Sequence, residues 1–232
     1  MISVAIIFEN FGPYHIARLQ AAASEYDLLA VEVASKSAIY AWTNDPTAGQ
    51  FRRVTLIQEG TSGKVTGAEF RRRMTQTLDE FHPGVVVVPG WATTPAWSAM
   101  NWCAQNHVPM VCLSESTAWD EPRAAWKEWV KRKLIGTFSS ALVGGKHHRN
   151  CLAGLGLPGS QISFGYDAID NHYFADRAAS IRANAEDTRL RLSLPQDYFL
   201  ASARFVEKKN LSRMLDAYAG YRSTQALSLI HI

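Results

Sequence analysis

The feature that most restricts the fold of this chain is its repeated exchange of two kinds of segment. Short apolar, β-rich runs ("SVAIIF", "LLAVEV", "RRVTLI", "VVVVPG", "PMVCLS", "ALVGG" and "ISFGYD") each border a helix-length amphipathic stretch. Strands separated by helices run parallel to their neighbours, and the helices cover both faces of the sheet. The expected class is therefore α/β, a Rossmann-like doubly wound parallel sheet. Val85 to Val88 is apolar at every position, which predicts a central strand covered on both faces.

The chain has 232 residues, 47% hydrophobic and 19% charged, enough for one large domain or two small ones. A net charge of +3 suits small anionic ligands or an acidic membrane surface and argues against wrapping a long nucleic acid. Cys103, Cys112 and Cys151 form no C-x-x-C pair, so neither a disulfide framework nor a zinc site is expected, and a reducing cytoplasm is the expected setting. "MISVAIIFENFGPYH" has no basic leader and reads as a first strand. No apolar run approaches the roughly 20 residues that span a bilayer, so the expected protein is soluble, or peripheral on the inner face of a membrane.

In such a sheet the loops that follow the strands carry the chemistry. In "ENFGPYHIARL", Gly12 suits a tight turn and Pro13 the first turn of a helix, leaving backbone N–H groups to meet an anion or a sugar hydroxyl, with His15 beside them. In "LSESTAWDEPRAAWKEWVKRKL", Ser114 and Glu115 stand at a strand end. There a carboxylate can act as a base or bind sugar hydroxyls, or simply cap a helix or pair with a cation. In the helix that follows, Trp126, Trp129 and Val130 share one side, while Arg123, Lys127 and Lys131 recur every fourth residue. That pattern fits a core stripe with a solvated basic face, or a basic helix resting on anionic lipid. His147 and His148 are adjacent and point apart, and no second ligand pair stands at metal spacing, so no metal is expected. Gly144 and Gly145 end a strand where backbone can approach a ligand.

Towards the C-terminus, Asp176 to Leu194 is polar and helix-prone, and Pro195 ends it, which predicts a domain boundary. Beyond it, Arg204 follows a strand, and Lys208 and Lys209 precede a helix with Leu211, Leu215 and Tyr218 on one face. Cations beside a helix N-terminus suit a diphosphate, although a solvated basic turn has the same sequence.

Together these segments resemble the family-4 glycosyltransferases of GT-B fold, over nearly the whole chain. "FLASARFVEKKNLSRMLDAY" is similar to the opening of that family's second domain, with Ala203 where Gly is usual, and places Arg204 and Lys209 on the positions that hold the donor diphosphate. "LVGGKHHRNCLAGLGLPGSQISFGYDAIDNHYF" resembles the stretch leading to the interdomain linker, with Asp167, Asp170 and Phe174 in the "GVD…F" turn and Tyr166 where Val is common. "FGPYH" replaces the Gly-Gly pair of many members, so Gly12 alone carries over, and "LSESTAWD" has no cleft histidine, leaving Glu115 or Ser114 at that place.

The resemblance implies transfer of a sugar from a nucleotide-sugar donor to a hydroxyl acceptor, retaining and metal-independent, in bacterial glycan or lipid-linked glycan synthesis. No cofactor is implied beyond the donor substrate. Glu115 would be catalytic, Arg204 and Lys209 would bind the donor diphosphate, and Gly12, His15 and Ser114 would line the acceptor side. A nucleotide-sugar epimerase of similar architecture and a non-catalytic Rossmann-like binding protein are the alternatives. The expected organisation is an acceptor-side domain over 1–175, a linker helix over 176–195, and the start of a nucleotide-sugar domain over 196–226. Residues 227–232, "LSLIHI", read as a sequencing artefact. The family's paired donor-side glutamates lie further into the second domain than this chain reaches, so the chain as it stands is expected to be inactive.

Overall fold

The computed structural model describes residues 1–36, 49–58, 65–120, 124–223 and 228–231. They divide into two compact units, Met1–Asp170 and Asn171–Ile232. In the first, β1 (Ser3–Phe8), α1 (Pro13–Ala23), β2 (Asp27–Ala34), β3 (Arg52–Ile57), α2 (Gly67–Phe81) and β4 (Val85–Pro89) follow in turn. Then come α3 (Thr94–Asn106), β5 (Met110–Ser114), α4 (Ala125–Ile135), β6 (Ser140–Val143), α5 (Lys146–Gly154) and β7 (Ile162–Phe164). All seven strands pair in parallel in the order β3-β2-β1-β4-β5-β6-β7. The Rossmann-like doubly wound class expected from the sequence is therefore the observed one, and each predicted strand is present.

The period-2 alternation of side chains sorts the core onto the two faces of the sheet. Ala5, Ile7, Leu29, Val31 and Val33 join the larger cluster, which takes Phe70, Met74 and Leu78 from α2 and Ala99 and Trp102 from α3. Phe8, Leu28, Ala30 and Leu113 point the other way, against Phe11 and Leu19 of the α1 segment. β4 lies in the middle of the sheet as predicted, yet Val85 and Val87 are only half-buried while Val86 and Val88 are fully so. The strand sealed almost throughout is β2, buried from Leu28 to Ala34 although Glu32 stands within it.

Two helix caps show how local sequence places these elements. Thr66 and Thr93 each accept the backbone N–H three residues on, at 3.3 Å, and so satisfy an otherwise orphaned donor at the start of α2 and α3. Pro95 follows the second cap within the first turn, where its missing N–H costs nothing.

In the second unit, α6 (Asn171–Ala183) and α7 (Ala185–Arg191) take up the predicted polar helix, which begins earlier than expected and is interrupted at Asn184. Ser193, at φ +53°, ends it ahead of Pro195. Next come β8 (Tyr198–Ala201), α8 (Leu211–Arg222) and β9 (Ser228–His231), with β8 and β9 paired in parallel. Four residues of the final segment, Ser228–His231, form β9. The apolar stripe of α8 runs through Leu211, Met214 and Tyr218, whereas Leu215, predicted to share it, is 53% exposed. Phe199 meets Tyr218 and Tyr221 at 6.5 and 5.4 Å. From Asn171 to Ser223, Lys208 aside, no residue is fully buried. No helix among the described residues is long and apolar enough to cross a membrane.

Candidate active site

The strand order reverses direction between β1 and β4, and a cleft of about 490 Å³ opens beyond the carboxyl ends of β4 and β5, where open α/β sheets hold their ligands. Its walls are the loop after β4, the turn after β5, Glu128 and Lys131 of α4, and Tyr166. Gly90 turns the chain out of β4 at φ +74°, a left-handed conformation that a side chain would strain, and its amide donates to the Val88 carbonyl at 2.9 Å. On the other wall, the Thr117 amide and hydroxyl both donate to the Asp120 carboxylate at 2.6 Å.

Glu115, at the end of β5, has the Asp167 carboxyl as its chief electrostatic neighbour. A like charge nearby disfavours the ionised form of a carboxyl, and here that acts on Glu115. The hydrogen bond to Asp167, then burial, then the charge of Asp167 push Glu115 up to about 7, while Arg18 of α1 pulls it down. Arg18 is anchored by donating to the Ala168 carbonyl at 2.8 Å, and its guanidinium lies 5.3 Å from the centre of the Tyr166 ring. Burial and the Glu115 charge push the Tyr166 hydroxyl up to about 12, so it stays a proton donor.

Asp167 reaches this place because residue 144 is glycine. A Cβ there would lie 2.0 Å from its Oδ2 and 3.1 Å from Nδ1 of His148, a buried nitrogen with no hydrogen-bond partner in the structure. The glycine pair after β6 does allow a close approach, as expected, and the group that approaches is the protein's own carboxylate.

The loop after β1 departs from expectation. Gly12 caps α1 at φ −105° and ψ 175°, an extended conformation open to any residue, so no glycine-only turn is made there. The Gly12 amide donates to Nδ1 of His15 at 3.1 Å, and the Phe11 amide donates to Oε1 of Glu32 at 2.8 Å. The Phe11 and Gly12 amides, just before the helix, are thus engaged within the protein. His15 packs its ring 4.4 Å from that of Phe8, and burial together with the Arg18 charge lowers its pKa to about 4, leaving it neutral. Since Nδ1 accepts, the proton resides on Nε2.

Beneath this loop lies Glu32, fully buried in β2. Its Oε1 also accepts from the Asn10 amide at 3.3 Å, and its Oε2 accepts from the Arg53 guanidinium and the Thr55 hydroxyl, each at 2.8 Å. Arg53 lies over the Phe11 ring at 4.7 Å. The carboxylate therefore ties β2 and β3 to the loop that starts α1. The sequence signal was a lone acid inside the apolar run "LLAVEVA" with an arginine in the strand after it.

Of the predicted residues, Glu115 and Ser114 both line the cleft. Ser114 is buried, and its hydroxyl accepts the Ser116 amide at 3.2 Å, which shapes the turn presenting Glu115. His15 and Glu115 share Arg18 as a charged neighbour. Arg204 and Lys209 belong to the second unit, in the segment between β8 and α8, with Lys209 closing a short 3₁₀ turn (Glu207–Lys209). Arg123 and the Lys208 side chain lie outside the described residues. Arg18, Tyr166 and the pairing of Asp167 with Glu115 were not anticipated, because they join positions far apart in the sequence.

No protein-family model matches the chain, and no curated protein matches it. Solved structures do. The UDP-N-acetylglucosamine 2-epimerase of Rickettsia bellii superposes with a TM-score of 0.60 at 15% identity, over 100% of this chain and 62% of that one. The UDP-GlcNAc 2-epimerase of Neisseria meningitidis, solved with UDP-GlcNAc bound, gives 0.62 at 13%, over 100% and 66%. That of Methanocaldococcus jannaschii gives 0.58 at 15%, over 98% and 64%. This chain therefore has a GT-B-like fold and spans a little under two thirds of the length of those proteins. At such identities the likeness carries the fold alone and does not extend to family 4.

Proposed function

We propose that this chain is the first domain, and the opening of the second, of an enzyme that acts on a nucleotide-sugar, with Glu115 and Asp167 handling the proton that the reaction moves. The observation that carries this reading is the carboxyl pair at the mouth of β5. A group that titrates near 7 can both take and return a proton at neutral pH, which is the requirement of general acid–base chemistry. Tyr166 and Arg18 would keep the pair oriented and its charge balanced.

Two reactions would use such a pair. In epimerisation it would take the proton from the sugar carbon beside the anomeric centre as the C–O bond to the diphosphate breaks and a C=C bond forms, and re-addition of the diphosphate with a proton delivered to the opposite face would complete the exchange; the solved structures of like fold, named as 2-epimerases, favour this reading. In glycosyl transfer it takes the proton of an acceptor hydroxyl while the leaving diphosphate is steadied by cations and helix N-terminal donors. That second reading is favoured by the "ARFVEKKN" motif, in which Arg204 and Lys209 would hold the diphosphate, and by the family-4 resemblance around Asp167. The acceptor would then be a bacterial glycan or lipid-linked glycan.

One experiment separates them. A protein that carries the second domain entire is incubated with UDP-GlcNAc in D₂O, with and without a panel of sugar acceptors, and products are followed by NMR and mass spectrometry. Deuterium at a sugar carbon without acceptor supports epimerisation, whereas acceptor-dependent release of UDP with a new glycoside supports transfer. Neither outcome across UDP-, GDP-, ADP- and dTDP-sugars would sink the nucleotide-sugar reading. Glu115→Gln should abolish whichever activity is found.

A further inference from the structure

The sequence left α4 with two readings, and the structure removes the first. Ile135 is its one fully buried residue, with Leu134 packed partly against the core, while Trp126 and Trp129 are 68% and 62% exposed. The tryptophans therefore face outward. Lys133 shares that outward face and Arg132 flanks it, as their spacing on a helix requires. The ammonium groups of Lys127 and Lys133 each lie 5.8 Å from the centre of a tryptophan ring, those of Trp126 and Trp129 respectively. Trp119, just before the helix, is 66% exposed and meets His147 edge-on at 4.9 Å.

Three exposed indoles interleaved with cations form an unusual surface for a protein in water. We propose that this face of α4 rests on an anionic bilayer surface, with Trp126 and Trp129 seated at headgroup depth and Lys127, Arg132 and Lys133 against lipid phosphate. Indole is amphipathic and collects at the membrane interface, and basic side chains beside it meet the negative surface potential of the leaflet. Charge complementarity selects this occupant. From Ala125 to Ile135 the helix carries Lys127, Lys131, Arg132 and Lys133 against Glu128 alone, and Glu128 is held by Lys131 at 3.4 Å. A second copy docked on the same face would set these cations against themselves. The proposal stands on surface composition and is independent of which sugar reaction the cleft performs.

The test is co-sedimentation of the chain with sucrose-loaded vesicles of POPC alone or POPC with about 30% POPG, at low salt and at roughly 0.5 M salt, where screening shortens the reach of surface charge. Tryptophan emission is recorded alongside. Binding to the POPG vesicles at low salt, a blue shift on binding, and release by salt are expected. Lys127→Glu with Lys133→Glu should weaken binding by about 25-fold or more, at roughly five-fold per basic residue lost. Trp126→Ala with Trp129→Ala should weaken it by at least about ten-fold, because buried apolar area sets the rest of the affinity. Circular dichroism checks that both variants fold, and the lysine pair tests the surface if the tryptophan pair does not. Equal binding to both vesicle types, no binding to either, or wild-type binding by the folded variants would overturn the proposal. So would a dimer in sedimentation velocity that Trp126→Ala converts to monomer.

Discussion

Glu32 and Glu115 differ by what surrounds them. Glu32 is sealed in β2, with Arg53, Thr55, Asn10 and the Phe11 amide all donating to it. Replacing it with Ala would strand Arg53 and those donors, and loss of one partner of a buried pair costs about 3–5 kcal/mol. Urea unfolding of Glu32→Ala should show a loss on that scale, and an unchanged midpoint would mean the network contributes nothing. Glu115 instead faces another carboxyl, and its pKa near 7 lies above the ordinary value of 4.5, so the folded state holds that proton the more tightly. Its contribution to stability is full below the ordinary value and disappears as pH rises through about 7. Asp167→Asn removes the like charge, so the titration of Glu115, followed by carboxyl carbon NMR, should fall towards the usual carboxylate range. His15 runs the other way. Lowered from 6.5 to about 4, it contributes stability above 6.5 that is lost as pH falls through 4. The sequence pointed to Glu115 and His15 as residues but not to their protonation, which is set by Asp167, Arg18 and Phe8, neighbours that only folding supplies.

At the scale of elements, the seven parallel strands were legible because a buried strand must be apolar and short and because helices had to lie between them. The helix faces were less so. The apolar stripe of α4 looked like a core seam because tryptophan counts as hydrophobic, yet Leu134 and Ile135 take the inward side and the indoles face out. The start of α1 was read from its glycine and proline as leaving amides for an anion or a sugar hydroxyl, and the two amides just before it, of Phe11 and Gly12, are engaged by Glu32 and His15. The exit of β6 carries the sharpest test of an element acting on the site. Gly144→Ala puts a methyl group where the Asp167 carboxylate lies, so Asp167 must shift away from Glu115. Displacement of a reacting group by about 1 Å can lower a rate by 10²-fold. Turnover of Gly144→Ala should fall by at least about ten-fold while its melting temperature changes little, and full activity would remove Asp167 from the mechanism.

At the scale of the whole molecule, the chain divides into Met1–Asp170, a densely buried sheet, and Asn171–Ile232, where no residue from Asn171 to Ser223, Lys208 aside, is sealed from solvent. If the second unit opens a nucleotide-sugar domain, Arg204→Ala and Lys209→Ala, made in a protein carrying that domain entire, should each lower turnover by an order of magnitude or more, as removal of a donor to developing charge does. Unchanged steady-state kinetics in both would leave the basic segment as solvated surface. The sequence by itself determined the α/β class and the position of every strand in the first unit, because these follow from periodicity and local backbone preference. Only the tertiary structure decided which carboxyl meets Glu115, which amides are already engaged and which way α4 turns its tryptophans. Those depend on approaches between residues far apart along the chain, and no local pattern encodes a distance.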